Sequence, residues 1–226
     1  FLKLSQTFIE FVHRLPFYGV AVLCIDDPHV RAILDAVSRP MLTYGTPDDA
    51  DFRATRVEVR GLAWKFRAER PAGHAPLDVV MNLPGAHNVL NALAAIAVAT
   101  DEGVSDAAIL AGLEAFSGVG RRFDVADGIR VANKTVSVVD DYGHHPTEVA
   151  MVIETARKVW PDRRLVMVYQ PHRYTRTHDL YDEFTKVLST VDKLVLLEVY
   201  SAGEEYLAGA DSHALSHGIR ERGAIN

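Results

Sequence analysis

Asp140-Asp141-Tyr142-Gly143-His144-His145-Pro146-Thr147-Glu148-Val149 is the stretch on which the reading of this chain turns. It follows the apolar residues Val136, Val138 and Val139 and opens a helical pattern with a proline. Proline suits the first turn of a helix, where its missing N–H costs nothing and its φ is already set. The sequence therefore predicts a strand over 136–140, a loop over 141–145 and a helix over 146–159. The loop gathers carboxylates, a phenol and two imidazoles at a helix N-terminus, where free N–H groups favour an anion. Asp141 is placed to accept hydrogen bonds from hydroxyls such as those of a ribose.

Downstream the layout repeats. A strand over 165–169 leads to a helix over 179–191, and a strand over 194–199 leads to a last helix near 212–222. Strands without polar alternation, joined by long helices, indicate a parallel sheet covered on both faces. Ligands of such sheets bind beyond the carboxyl ends of the strands. Here those ends read Asp140-Asp141-Tyr142, Gln170-Pro171-His172-Arg173 and Glu198-Val199-Tyr200. In His172-Arg173-Tyr174-Thr175-Arg176-Thr177 two guanidiniums stand three residues apart. On one helical turn, Arg173 and Arg176 share a face and can fork a phosphate or carboxylate.

Upstream, apolar periodicity predicts a helix over 4–14, a strand over 20–25, a helix over 29–37 and a strand over 41–44. From Arg53 to Leu83 the period changes to two, which reads as antiparallel strands at the sheet edge, with Gly61 as an unusually tight connection. Pro84-Gly85 breaks that pattern before a helix over 86–100, apolar almost all round and therefore expected to be buried. Its polar exceptions are His87, Asn88 and Asn91, and an amide's donor and acceptor suit a purine edge or a ribose. Another helix spans 105–116.

Gly118-Val119-Gly120-Arg121-Arg122 follows a helix and lacks the third glycine of a dinucleotide fingerprint. It reads instead as a hinge that delivers a guanidinium to a cleft between domains, where it can neutralise a transferring phosphate. The expected fold is α/β in two domains, 1–118 and 119–226. Each is a mainly parallel sheet flanked by helices, the first with added antiparallel strands, the second Rossmann-like.

Composition narrows the partners. The 226 residues are 48% hydrophobic and 24% charged, enough for ordinary cores. A net charge of −6 without a basic run argues against nucleic acid as a general partner. No apolar run is long enough to span a membrane and the N-terminus has no signal-peptide layout, so the cytoplasm is the expected compartment. Cys24, the sole cysteine, lies in an apolar run and reads as a core thiol. His144, His145, His172 and Asp141 suit zinc by ligand type, but adjacent histidines point apart and no HxxxH spacing supports a site, so no metal ligand is assigned.

Asn82-Leu83-Pro84-Gly85-Ala86-His87-Asn88-Val89-Leu90-Asn91, Gly118–Asp124, Asp140–Val149 and Gln170–Thr177 together resemble the Mur ligase family. Leu15-Pro16-Phe17-Tyr18-Gly19 and Asp211-Ser212 also fit. The resemblance covers essentially the whole chain. It implies an ATP-dependent, amide-forming ligase of peptidoglycan precursor synthesis acting through an acyl phosphate. Within that family the resemblance implies UDP-N-acetylmuramate and L-alanine as substrates. Alternatives are a ligase that recycles a murein tripeptide and a nucleotide-binding module without catalysis.

The same resemblance assigns His87, Asn88 and Asn91 to the nucleotide, Arg122 to the transferring phosphate, and Asp141 to ATP and the ordering of the site. Tyr142, His144, His172, Arg173 and Arg176 would hold the sugar carboxylate, the incoming alanine and the developing negative charge, with Arg122, Asp141 and His144 as the catalytic group. It implies Mg2+ beside ATP, with the ligands of the ion expected upstream of Phe1. The family's Gly-rich loop bearing Lys-Thr or Lys-Ser, and its magnesium-holding Glu and His, are not found in this sequence. The first domain is thus expected to be the remainder of an ATP-binding domain and the second a substrate domain lacking its last strands, with another strand expected to begin at Ala224-Ile225-Asn226.

Overall fold

The structure is a computed structural model that describes residues 2–222. The strand expected from Ala224 lies outside the described residues. The chain forms two compact units, Phe1–Ser117 and Gly118–Asn226.

In the first unit, helix α1 (Leu2–His13) precedes strand β1 (Ala21–Cys24), a short helix α2 (Pro28–Arg31) and strand β2 (Met41–Gly45). The helix expected over 29–37 is only this single turn, followed by a 3-10 turn at Leu34–Ala36. Asp27 caps α2, accepting from His29 N at 2.7 Å and Val30 N at 3.3 Å. Strands β3 (Phe52–Arg60), β4 (Ala63–Glu69) and β5 (Leu77–Met81) complete a sheet of order β1-β2-β3-β4-β5.

The sheet is mixed and not mainly parallel. The β1–β2 and β2–β3 pairs are parallel, whereas β3–β4 and β4–β5 are antiparallel. The reason is the short connection at Gly61-Leu62, which leaves Arg60 opposite Ala63 and admits no crossover. Gly61, at φ 62°, makes that turn without further residues.

Alternation on β4 and β5 buries Trp64, Phe66 and Ala68 with Leu77, Val79 and Met81. Helix α3 (Ala86–Asp101) lays Val89, Ala92, Leu93, Ile96, Ala97 and Thr100 on this layer, a stripe at helical spacing. Leu90 and Ala99 pack against its margin, while Asn91, Ala95 and Val98 face outward, Val98 47% exposed, so the helix is buried on one side only. Leucine and isoleucine buried as Leu93 and Ile96 are contribute about 1.5–3 kcal/mol each. Helix α4 (Asp106–Ala115) starts at Ser105, whose hydroxyl accepts from Ala108 N. Arg70, its side chain 1% exposed, forks Asp106 at 2.8 and 2.9 Å and ties α4 to the end of β4.

The second unit departs further from its expected form. It opens with an antiparallel hairpin of β6 (Asp124–Val131) and β7 (Lys134–Asp140). Strand β6 was not expected, because residues 124–131 carry a broken pattern with a register shift at Asp127-Gly128. Helix α5 (Pro146–Val159), strand β8 (Val166–Tyr169), helices α6 (Tyr174–Asp179) and α7 (Tyr181–Leu188), strand β9 (Lys193–Leu196) and helix α8 (Ser212–Glu221) follow. The helix expected over 179–191 thus begins earlier, at Tyr174, and breaks at Leu180.

Only β8 and β9 pair in parallel, and no clear Rossmann-like sheet is formed among the described residues. Arg163, just before β8, donates to Thr135 O near the start of β7, and the loops beyond both strands meet at His144 and His172. The core joins Val149 and Ile153 of α5, Tyr169, Phe184 and Leu188 of α7, and Leu215 and Ile219 of α8. Val166, Val168, Val195 and Leu197 stay substantially exposed, so the sheet expected to be covered on both faces is covered on one.

Candidate active site

The opening loop is built around Asp141. Its Oδ1 accepts from Gly143 N at 2.7 Å and its Oδ2 from Phe123 N at 2.8 Å. Tyr142 N donates to Arg121 O at 2.8 Å, so the 121–123 segment is laced to the loop by backbone bonds. Arg121 and Phe123 adopt φ values of 61° and 51°, and Phe123 is buried and stacked on Trp160. Non-glycine residues hold such angles only where their surroundings impose them. The result sets both guanidiniums against one ring, Arg121 at 5.0 Å and Arg122 at 5.9 Å from the centre of Tyr142. Asp141 thus ties the loop together through two backbone donors, one on each carboxylate oxygen.

Glu148 was not among the expected site residues, yet it is the node of this wall. Its Oε2 accepts from His144 N at 2.9 Å and His145 N at 3.0 Å, while Oε1 lies 3.8 Å from Arg122 Nη1. The same Oε2 is 3.7 Å from His144 Nδ1, which also faces Tyr142 O at 3.2 Å. Burial opposes ionisation of Glu148, but the two backbone N–H groups, His144 and Arg122 outweigh it and hold its carboxyl below the usual range. The signal was in the sequence: His145-Pro146-Thr147-Glu148 is a capping box, with His145 Nδ1 accepting from Thr147 N at 3.2 Å. That bond commits His145 to the helix end.

The second loop carries His172, Arg173 and Arg176. The His172 ring lies 6.4 Å from that of His144 and 4.9 Å from that of Tyr200. Burial, then Arg176, Arg173 and His144, push the His172 imidazole below its ordinary pKa, which favours the neutral ring. Arg176 Nη1 donates to His172 O at 3.2 Å, and Arg173 is the residue from which α6 departs. Seven of the expected residues, Arg122, Asp141, Tyr142, His144, His172, Arg173 and Arg176, therefore share one continuous surface at the carboxyl ends of β7 and β8. Tyr200 and Glu204 join it from the loop after β9.

His87, Asn88 and Asn91 form a group in the first unit. Asn88 Nδ2 donates to Pro84 O at 2.8 Å and Asn91 Nδ2 to Asn88 Oδ1 at 3.3 Å. The His87 ring folds back over Gly85, where a Cβ would meet its Cε1 at 2.5 Å. Asn91 is exposed on α3, so its amide is open to a ligand.

Such a surface of guanidiniums, imidazoles and phenols suits a polyanionic substrate. Residues 3–99 match the Mur ligase middle domain, and residues 121–225 match the Mur ligase, glutamate ligase domain. The chain belongs to the Mur ligase family, the ATP-dependent ligases that form amide bonds.

Solved relatives share the fold. UDP-N-acetylmuramate–alanine ligase from Thermotoga maritima is 25% identical with a TM-score of 0.69, covering 96% of this chain and 52% of that one. A murein peptide ligase from Psychrobacter arcticus 273-4 is 22% identical with a TM-score of 0.66, covering 98% and 46%. Folylpolyglutamate synthase from Mycobacterium tuberculosis, complexed with ADP and AMPPCP, is 21% identical with a TM-score of 0.73, covering 99% and 49%. The chain thus spans about half the length of the solved structures it matches.

Proposed function

We propose that this chain forms the middle and C-terminal parts of a ligase that joins L-alanine to UDP-N-acetylmuramate during peptidoglycan precursor synthesis in the cytoplasm. The observation that carries the reading is the continuous line Tyr142–His144–His172–Tyr200, flanked by Arg122, Arg173 and Arg176. Such a line offers cations for a carboxylate and neutral rings for an amine.

A carboxylate oxygen of the sugar takes the γ-phosphoryl group of ATP, the bond to the β-phosphate oxygen breaks, and acyl phosphate and ADP result. Arg173 and Arg176 hold that carboxylate, and Arg122 neutralises charge on the transferring phosphate. The amine of alanine then attacks the acyl carbon, and the oxyanion that develops is stabilised by the same cations until phosphate leaves. His144 lies on this line with its Nδ1 turned to Tyr142 O, which leaves Nε2 for the reacting groups. Asp141 contributes by fixing the loop. The linked amides of Asn88 and Asn91, with His87, fit a nucleotide base or ribose by donor set. For Mg2+ the residues do not fit. Among the described residues no group of three or more His, Cys, Asp or Glu is arranged for a metal ion, and no step here runs through one.

The test is substrate competition in the full-length protein: phosphate release from ATP and UDP-N-acetylmuramate with L-alanine against a murein tripeptide. Preference for the tripeptide would make it a recycling ligase, and tight ATP binding without turnover would make it a binding module. Residues 1–226 alone contain no Gly-rich Lys-Thr or Lys-Ser loop and are expected neither to hydrolyse ATP nor to ligate. L-Alanine-dependent phosphate release by that purified segment would refute this.

A further inference from the structure

Residues 197–204 leave the end of β9 and clamp the His172–Arg176 segment from the side. Tyr200 N donates to Pro171 O at 2.9 Å, and Arg173 N donates to Tyr200 O at 2.8 Å. Beyond this, Ala202 at φ 51° and Gly203 at φ 86° turn the chain so that Glu204 faces Thr175. Its Oε2 accepts from Thr175 N at 3.0 Å and its Oε1 from Thr175 Oγ1 at 2.7 Å. Oε1 also lies 3.8 Å from Arg173 Nη1. The Glu204 side chain is 21% exposed and that of Arg173 51%, so the carboxylate is enclosed while the guanidinium looks outward.

Arg173 stands at φ 76°, ψ 133°, a backbone state that an arginine keeps only when its neighbours hold it on both sides. The neighbours are identifiable: Tyr200 O takes its N–H, and Glu204 fixes the residue two further on. We propose that Glu204 is a positioning residue that presents Arg173 to the anionic substrate. Its two short bonds go to Thr175 and only a loose ion pair reaches Arg173, so the guanidinium keeps donors for a ligand. Such preorganisation acts on binding more than on the chemical step. The inference rests on the reading that Arg173 binds the carboxylate substrate.

The experiment measures steady-state kinetics of the full-length protein with UDP-N-acetylmuramate varied at saturating ATP and L-alanine. It compares wild type with Glu204→Gln, Glu204→Asp, Arg173→Ala and the Glu204→Gln/Arg173→Ala double variant. Glu204→Gln is expected to raise KM about five- to tenfold with kcat within about twofold, the pattern of lost binding. Glu204→Asp, which keeps the charge, recovers part of the loss. The double variant is no worse than Arg173→Ala alone, because residues acting through one another are not additive.

Unchanged KM in Glu204→Gln, with raised KM in Arg173→Ala, overturns the positioning role and leaves the proposed function standing. Multiplying losses also overturn it, since Glu204 then acts independently of Arg173. Unchanged KM in Arg173→Ala, or a wild type inactive on these substrates, overturns the functional reading and this inference with it. Should Glu204→Gln fold poorly, Thr175→Val removes one anchor of the carboxylate and must raise KM likewise; no rise there counts against the proposal.

Discussion

The imidazoles of His144 and His172 lie 6.4 Å apart, centre to centre, although they come from loops after different strands. His172 also carries the influence of burial, Arg176 and Arg173, all of which disfavour its protonation. It is therefore expected to titrate below its ordinary value of 6.5 in the folded chain, as read by NMR of the ring protons. The sign for stability follows from linkage. Above 6.5 the ring is neutral in both states, and as pH falls through 6.5 the unfolded chain takes up the proton first, so stability declines. Arg176→Gln should move the titration up. A His172 that titrates at or above 6.5 in the parent chain would contradict this electrostatic picture.

Arg122 sits 5.9 Å from the Tyr142 ring centre and 3.8 Å from Glu148, held but not enclosed. In the full-length protein Arg122→Ala should mainly lower turnover, by about 2–4 kcal/mol of transition-state stabilisation if it meets the transferring phosphate. Arg173→Ala should instead raise the concentration of anionic substrate required. If both variants keep activity within a factor of about two, the assignment of this surface to the ligase reaction is wrong.

Glu148 joins a helix cap to the site, so its removal should register twice. Glu148→Ala loses the capping box and is expected to cost about 1 kcal/mol in urea unfolding. Its carboxyl titrates below the ordinary 4.5, so the stabilisation it brings is present above 4.5 and is lost as pH falls through the folded value. Glu148→Gln should consequently flatten the acid limb of the stability curve. An unaltered acid limb would show that the contacts with Arg122 and His144 are screened by solvent.

What could be read from residues alone was the part set by local rules. Pro146 placed the start of α5, alternation placed β4 and β5, and the polar residues after Val139 and Tyr169 marked the loops that meet. The failures share another cause. Strand β6 has a bulge at Asp127-Gly128 that hides its period, and the pairing of β7 with β6 in place of a parallel neighbour is a tertiary choice. Helix α3 seemed apolar all round because alanine gives no sign of which face it will take, and its outer face is open. Glu204 resembles a solvated charge in the sequence, since a glutamate in a loop shows no partner there, and the capping box of Glu148 is headed by histidine in place of the usual Ser or Thr. Each proves to be an anchor for a loop bearing a candidate cation.

Gly85 and Gly73 offer a controlled comparison in the first unit. Both hold positive φ, 115° and 99°, so a side chain at either is strained by the backbone alone, by about 1–3 kcal/mol. Gly73 has nothing within 4 Å of a built Cβ, whereas at Gly85 that atom would meet His87 Cε1 at 2.5 Å and Nδ1 at 2.8 Å. Gly73→Ala should therefore show only the backbone cost in thermal unfolding. Gly85→Ala should lose more, because the His87 imidazole must also be driven from its place at the start of α3. In the full-length protein it should weaken nucleotide binding, measured by ADP titration, while Gly73→Ala leaves binding unchanged. Equal losses of stability at the two positions, with equal ADP affinity, would show that the packing of His87 on Gly85 carries neither the helix start nor the nucleotide site.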